Sequence, residues 1–126
     1  MHAINKALGF IEKHLGDDIV LEDIAAANNI SVFYLSHVFV TVTGFPVMQY
    51  VRNRRLTEAA KRLQRGAPNI LNIALAYGYE SHGAFTRAFV ARFGVSPKEC
   101  RDDGHSIESG GPQLPYSKDF ERRRSE

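Results

Sequence analysis

Apolar side chains recur at spacings of three and four along most of the first hundred residues, which is the periodicity of amphipathic helices. The pattern is sharpest from Ile70 to Arg101. Ile70, Ile73, Ala74 and Tyr77 fall on one face of a short helix, and Phe85, Ala88, Phe89 and Phe93 on one face of the next. Gly78 follows the first helix, where glycine adopts the left-handed conformation without steric cost. Ser81 is placed to cap the first amides of the second helix. Two helices so close in sequence must cross steeply. The second then leaves His82, Gly83, Thr86 and Arg87 outward near its N-terminal end, with Ala84 beside them. This is helix-turn-helix geometry, in which the early residues of the second helix can meet base edges in a major groove.

The same pattern occurs upstream in LEDIAAANNISVFYLSHVFVTVTG. Ile24 and Ala25 match Ile73 and Ala74 at an offset of 49, whereas Leu35, Phe39 and Gly44 match Phe85, Phe89 and Gly94 at 50. One residue has therefore been inserted in the second turn. Both copies end on a glycine followed within three residues by a proline, Gly44-Phe45-Pro46 and Gly94-Val95-Ser96-Pro97, which suits a helix stop and a new first turn. A repeat of caps, core and stop together marks an internal duplication.

The remaining segments fit around the two copies. Ala3 to Leu15 places Ile4, Ala7, Leu8, Ile11 and Leu15 at helical spacing and stops at Gly16; Asp17-Asp18 after it would repel phosphate. A helix from about Leu21 to Asn28 carries Glu22 and Asp23 in its first turn, where the helix dipole favours acids. Asn29 takes the place of Gly78, since asparagine tolerates the left-handed conformation. The next helix, from about Ser31 to Thr43, has Leu35, Val38, Phe39 and Val42 as its core stripe and Ser36 and His37 outward. Phe33 is open to two readings, a core residue or a groove contact. Pro46 to Gln64 is the longest helical run, closed by Arg65-Gly66 and Pro68. It reads as a bridge between the copies, with Leu56, Ala59, Ala60 and Leu63 on one side, Arg54, Lys61 and Arg65 on the opposite side, and Arg52 and Arg55 on the flanks. Those arginines fit either a solvated face or phosphate contacts, and Arg52 is the candidate contact among them.

The chain has 126 residues and a net charge of +2, but the charge is uneven: residues 1–101 hold 12 basic and 8 acidic side chains, whereas residues 102–126 hold 4 and 6. The folded part is thus expected to be +4. No apolar run has the length of a signal peptide or a membrane span, so a cytoplasmic protein without membrane contact is expected. Cys100, the single cysteine, is expected to be a small buried filler. The five histidines and Cys100 show no zinc-ligand spacing, there is no glycine-rich phosphate loop, and the cysteine has no evident base. Neither metal, cofactor nor enzymatic activity is implied. After Arg101 the composition turns polar and glycine-rich; an irregular tail is expected, with Leu114, Pro115 and Tyr116 laid against the domain.

Three stretches, IALAYGYES, FTRAFVARFGVSP and QYVRNRRLTEAAKRL, give the chain a family likeness. It resembles the DNA-binding domain of the AraC/XylS transcription activators, and most of all the small MarA/SoxS/Rob group. The likeness covers about residues 3–101. It implies an all-α fold of seven helices in residues 1–101, with two helix-turn-helix units joined by a long bridging helix; residues 102–126 lie outside the likeness and are expected, from their composition, to be a flexible tail or the start of a linker. It further implies an activator that binds double-stranded DNA as a monomer across two successive major grooves, with RNA polymerase as a second partner. Where the family carries arginine or lysine on the first recognition helix, this chain has Val32, His37, Val40 and Thr41. That departure keeps a second expectation in view, an adaptor that binds a protein through Phe33 and Tyr34.

Overall fold

The computed structural model describes residues 2–66 and 69–103, and these form seven helices with no strand among them. α1 (His2–Lys13), α2 (Leu21–Ala27), α3 (Val32–Thr43) and the start of α4 (Val47–Gln64) make one compact unit. The rest of α4, with α5 (Ile70–Ala76), α6 (His82–Phe93) and α7 (Pro97–Asp103), makes another, the division falling between Arg52 and Asn53. Pro68 and the tail with Leu114, Pro115 and Tyr116 lie outside the described residues.

In the first unit, Ile4, Ala7, Leu8 and Ile11 of α1 are buried with Ile24 and Ala25 of α2, Leu35 and Phe39 of α3, and Val47, Tyr50 and Val51 of α4. Phe39 and Tyr50 meet edge to face at 5.5 Å, a favoured aromatic geometry. α1 stops at Lys13, two residues short of the expected Leu15. Its last turn tightens because the His14 amide donates to both Phe10 O and Ile11 O, and the His14 ring lies 2.7 Å from the Asp17 carboxylate. Leu15 is nevertheless buried.

The second unit repeats the arrangement. Ile73 and Ala74 of α5 and Phe85, Phe89 and Phe93 of α6 are buried with Leu56, Ala59, Ala60 and Leu63 of α4. The three phenylalanines follow one another along α6 with their rings tilted at 56° and 59°, centroids 5.6 and 4.8 Å apart. Cys100 closes this core from α7, fully buried, with Sγ 3.9 Å from the Ala60 carbonyl. Burial pushes its thiol pKa up, as expected of an inert filler.

The residues between the helices explain the breaks. Asn29 (φ 56°) is the one non-glycine residue with positive φ among those described, and it stands where the second unit has Gly78 (φ 87°). The Ile30 amide bonds Ala25 O and the Tyr79 amide bonds Ala74 O, so these turns superpose at the offset of 49. Ser31 and Ser81 cap the next helices at the offset of 50, accepting from Tyr34 N and Ala84 N at 3.0 and 3.1 Å. The inserted residue is therefore Glu80. α3 and α6 both end on a left-handed glycine, Gly44 and Gly94. Beyond them the copies differ slightly: Pro46 precedes α4, its carbonyl accepting from Tyr50 N, whereas Pro97 is the first residue of α7 behind a reciprocal Ser96–Glu99 cap.

One expectation for α4 is corrected. Arg54 does not lie on a solvated face but is buried, 7% exposed, with Nη2 donating to Glu58 Oε2 at 3.0 Å. It follows Val47, Tyr50 and Val51 at helical spacing, so it continues a buried stripe. Lys61 donates to the same Glu58 oxygen at 2.9 Å. Burial alone would raise the Glu58 carboxyl; the Lys61 hydrogen bond and the charges of Arg54 and Lys61 outweigh it and hold it below its usual range.

Candidate nucleic-acid interface

α2 and α3 meet at 94° across a break of four residues or fewer, within the steep range expected of a helix-turn-helix pair. α3 and α6 are each twelve residues long, begin on a serine cap and end on a left-handed glycine. Their buried positions, Leu35, Phe39 and Thr43 in one and Phe85, Phe89 and Phe93 in the other, match at an offset of 50. The outward positions must therefore match too.

On α6, His82, Gly83 and Arg87 are exposed, while Ala84 and Thr86 are half-buried. His82 and Thr86 lie one turn apart, with His82 Nδ1 3.4 Å from Thr86 Oγ1. Arg87 reaches back toward the helix start, as long helical side chains do, until its Nη1 would be 3.4 Å from a Cβ added at Gly83. The glycine thus leaves the guanidinium room to lie along the helix surface. A planar cation with paired donors at that place suits guanine O6 and N7 or a phosphate.

On α3 the matching places hold other chemistry. Phe33 is 82% exposed, so of its two readings the buried one is excluded. Its ring is parallel to that of His37, interplanar angle 3° and centroids 6.4 Å apart. His37 is exposed and Ser36 half-buried. Tyr34 and Val40, 47% and 44% exposed, extend this surface beyond the expected contacts. Their exposure follows from the register of Leu35 and Phe39, one residue to either side. Arg52 is exposed on α4; Arg55 lies near Gly78, its Nη1 4.0 Å from a Cβ built there. Arg92 is half-buried over the Phe93 ring at 4.9 Å, and desolvation lowers its pKa.

Two tandem helix-turn-helix units with exposed recognition helices define a class of DNA-binding regulator. A family model described as a helix-turn-helix domain matches residues 24–103, that is, from within α2 to the end of α7. The HTH-type transcriptional activator AarP of Providencia stuartii is 36% identical over 105 residues, covering 82% of this chain and 78% of that protein. The probable transcription factor PqrA of Proteus vulgaris is 37% identical over 105 residues, covering 82% and 86%. Among solved structures, an AraC-type transcriptional regulator from Chromobacterium violaceum superposes with a TM-score of 0.76 at 26% identity, covering 79% of this chain and 89% of that one. The chain belongs to the AraC-type helix-turn-helix family of transcription regulators and groups with the MarA/Rob type. It is a DNA-binding transcription regulator, and its family is not one of enzymes.

Proposed function

We propose that the chain activates transcription by binding double-stranded DNA as a monomer, each recognition helix entering one of two successive major grooves. The contact residues in this reading are Phe33, Ser36 and His37 on α3 and His82, Gly83, Ala84, Thr86 and Arg87 on α6, with Arg52 on a phosphate. The observation that carries it is the register of α3 and α6: matched caps and matched cores turn the same places outward in both units. The two copies carry different outward side chains, His37 against Arg87 and Phe33 against Gly83, so the site should be two unlike boxes about one helical turn, roughly 34 Å, apart. Activation would bring RNA polymerase as a second partner, in the cytoplasm. Residues 102–126, with more acidic than basic side chains, are assigned no part in DNA binding. Selection of bound duplexes from a random library, followed by sequencing, tests this. The expected outcome is an asymmetric two-box site bound by one chain; a palindrome bound only by a dimer would overturn it.

A further inference from the structure

The outward stripes of the two recognition helices can be compared place by place: Phe33, His37 and Val40 on α3 stand where α6 has Gly83, Arg87 and Val90. Each set is spaced by four and then three residues, so each lies on one helical face. Val40 and Val90 are both exposed, 44% and 42%. The real difference is upstream, where an arginine lying back toward a glycine is replaced by a histidine lying parallel to a phenylalanine. None of the twelve residues of α3 is a lysine, arginine, aspartate or glutamate. The imbalance extends to the surroundings: residues 1–52 carry three lysines and arginines against five acids, a net −2, and residues 53–101 carry nine against three, a net +6.

A face with no lysine or arginine gains no charge attraction from phosphates and lacks the donor fork that reads guanine. What it does offer is a large apolar ring and a branched aliphatic side chain on one helical face, about two turns apart. The one apolar group that base pairs present in a major groove is the C5-methyl of thymine. We propose that Phe33 and Val40 make α3 a reader of thymine methyls, with the His37 ring backing Phe33 and holding it in place. This rests on the DNA-binding reading above and deepens it. The first box is then selected by apolar contact, which salt barely affects, and the second by charged contact.

Replacing thymine by deoxyuridine removes the C5-methyl and leaves base pairing intact. The full chain is titrated with its selected duplex, each thymine of the box covered by α3 being replaced in turn. Burial of one methyl group is worth about fourfold in affinity, so one or two positions should weaken binding by about that factor, equally at low and high salt. In Phe33→Ala these same replacements should have lost most of their effect, while in Phe33→Leu, which remains apolar, part of it should persist. Phe33 is exposed, so both variants should melt as the parent does, which a thermal scan checks. Specific binding indifferent to every deoxyuridine would overturn the proposal and assign the apolar face to a protein partner. So would a deoxyuridine effect of the same size in Phe33→Ala, or a selected first box without thymine. Absence of salt-dependent binding to any duplex would instead overturn the DNA-binding reading together with this one.

Discussion

Arg87 and His37 occupy the same place in the two units, and the difference between their side chains is the clearest functional asymmetry in the molecule. A lost bidentate arginine contact costs about 1–3 kcal/mol of discrimination, whereas histidine is shorter and lacks the fork. Arg87→Ala should therefore weaken binding to the selected duplex more than His37→Ala does; equal losses in titrations of the two variants would contradict the assignment. The outward position of Arg87 was legible in the sequence, because Phe85 and Phe89 bracket it. Phe33 was not, since a large apolar residue is ordinarily buried and only the fixed positions of Leu35 and Phe39 turn it to solvent. Arg54 failed for the converse reason: its place opposite Leu56, Ala59, Ala60 and Leu63 suggested a solvated face, but its spacing from Val47, Tyr50 and Val51 continues a buried stripe, and Glu58 makes that tolerable.

At the scale of the elements, the turns carry most of what periodicity cannot specify. Gly78 at φ 87° and Asn29 at φ 56° perform one task with different side chains. A residue with a Cβ costs about 1–2 kcal/mol in the left-handed region, and asparagine less than most. Gly78→Ala should accordingly destabilise by about that amount in chemical unfolding, whereas Asn29→Gly, which removes a Cβ at the matching place, should leave stability nearly unchanged. The duplication was readable because such caps and stops recur with the core, whereas the change of offset from 49 to 50 became assignable to Glu80 only through the bonds of the Ile30 and Tyr79 amides. On α4, the Glu58 carboxyl is held below its usual range, so the folded state binds its proton less readily than the unfolded chain. Its contribution is complete above the ordinary carboxyl value of 4.5 and fades as pH falls below it. Glu58→Gln should flatten that part of the stability-versus-pH curve in acid titration; an unchanged slope would remove the carboxylate from the account.

Over the whole molecule, the charge is divided: net −2 in residues 1–52, net +6 in residues 53–101, and 4 basic against 6 acidic side chains beyond Arg101. Truncation after Gly104 should therefore leave DNA affinity intact, because α7 already ends at Asp103 and the removed residues 105–126 carry no net charge, four basic against four acidic side chains. A truncated chain that unfolds or loses affinity would assign the tail a structural role. The seven helices, the two units and the unequal outward residues of the recognition helices were legible from apolar spacing, caps and family likeness; that Phe33, Tyr34 and Val40 together reach solvent emerged only from their exposure. The most direct test of the central claim, sequence-specific DNA binding, is the affinity for the selected duplex and a scrambled one across a salt series. Each phosphate contact adds about 0.9 to the slope of log affinity against log salt, and specific sites are bound about 10³-fold or more tighter than others. A steep salt dependence on both duplexes, with that preference for the selected one, is the predicted result; affinity that is indifferent to salt, or equal for the two duplexes, would contradict it.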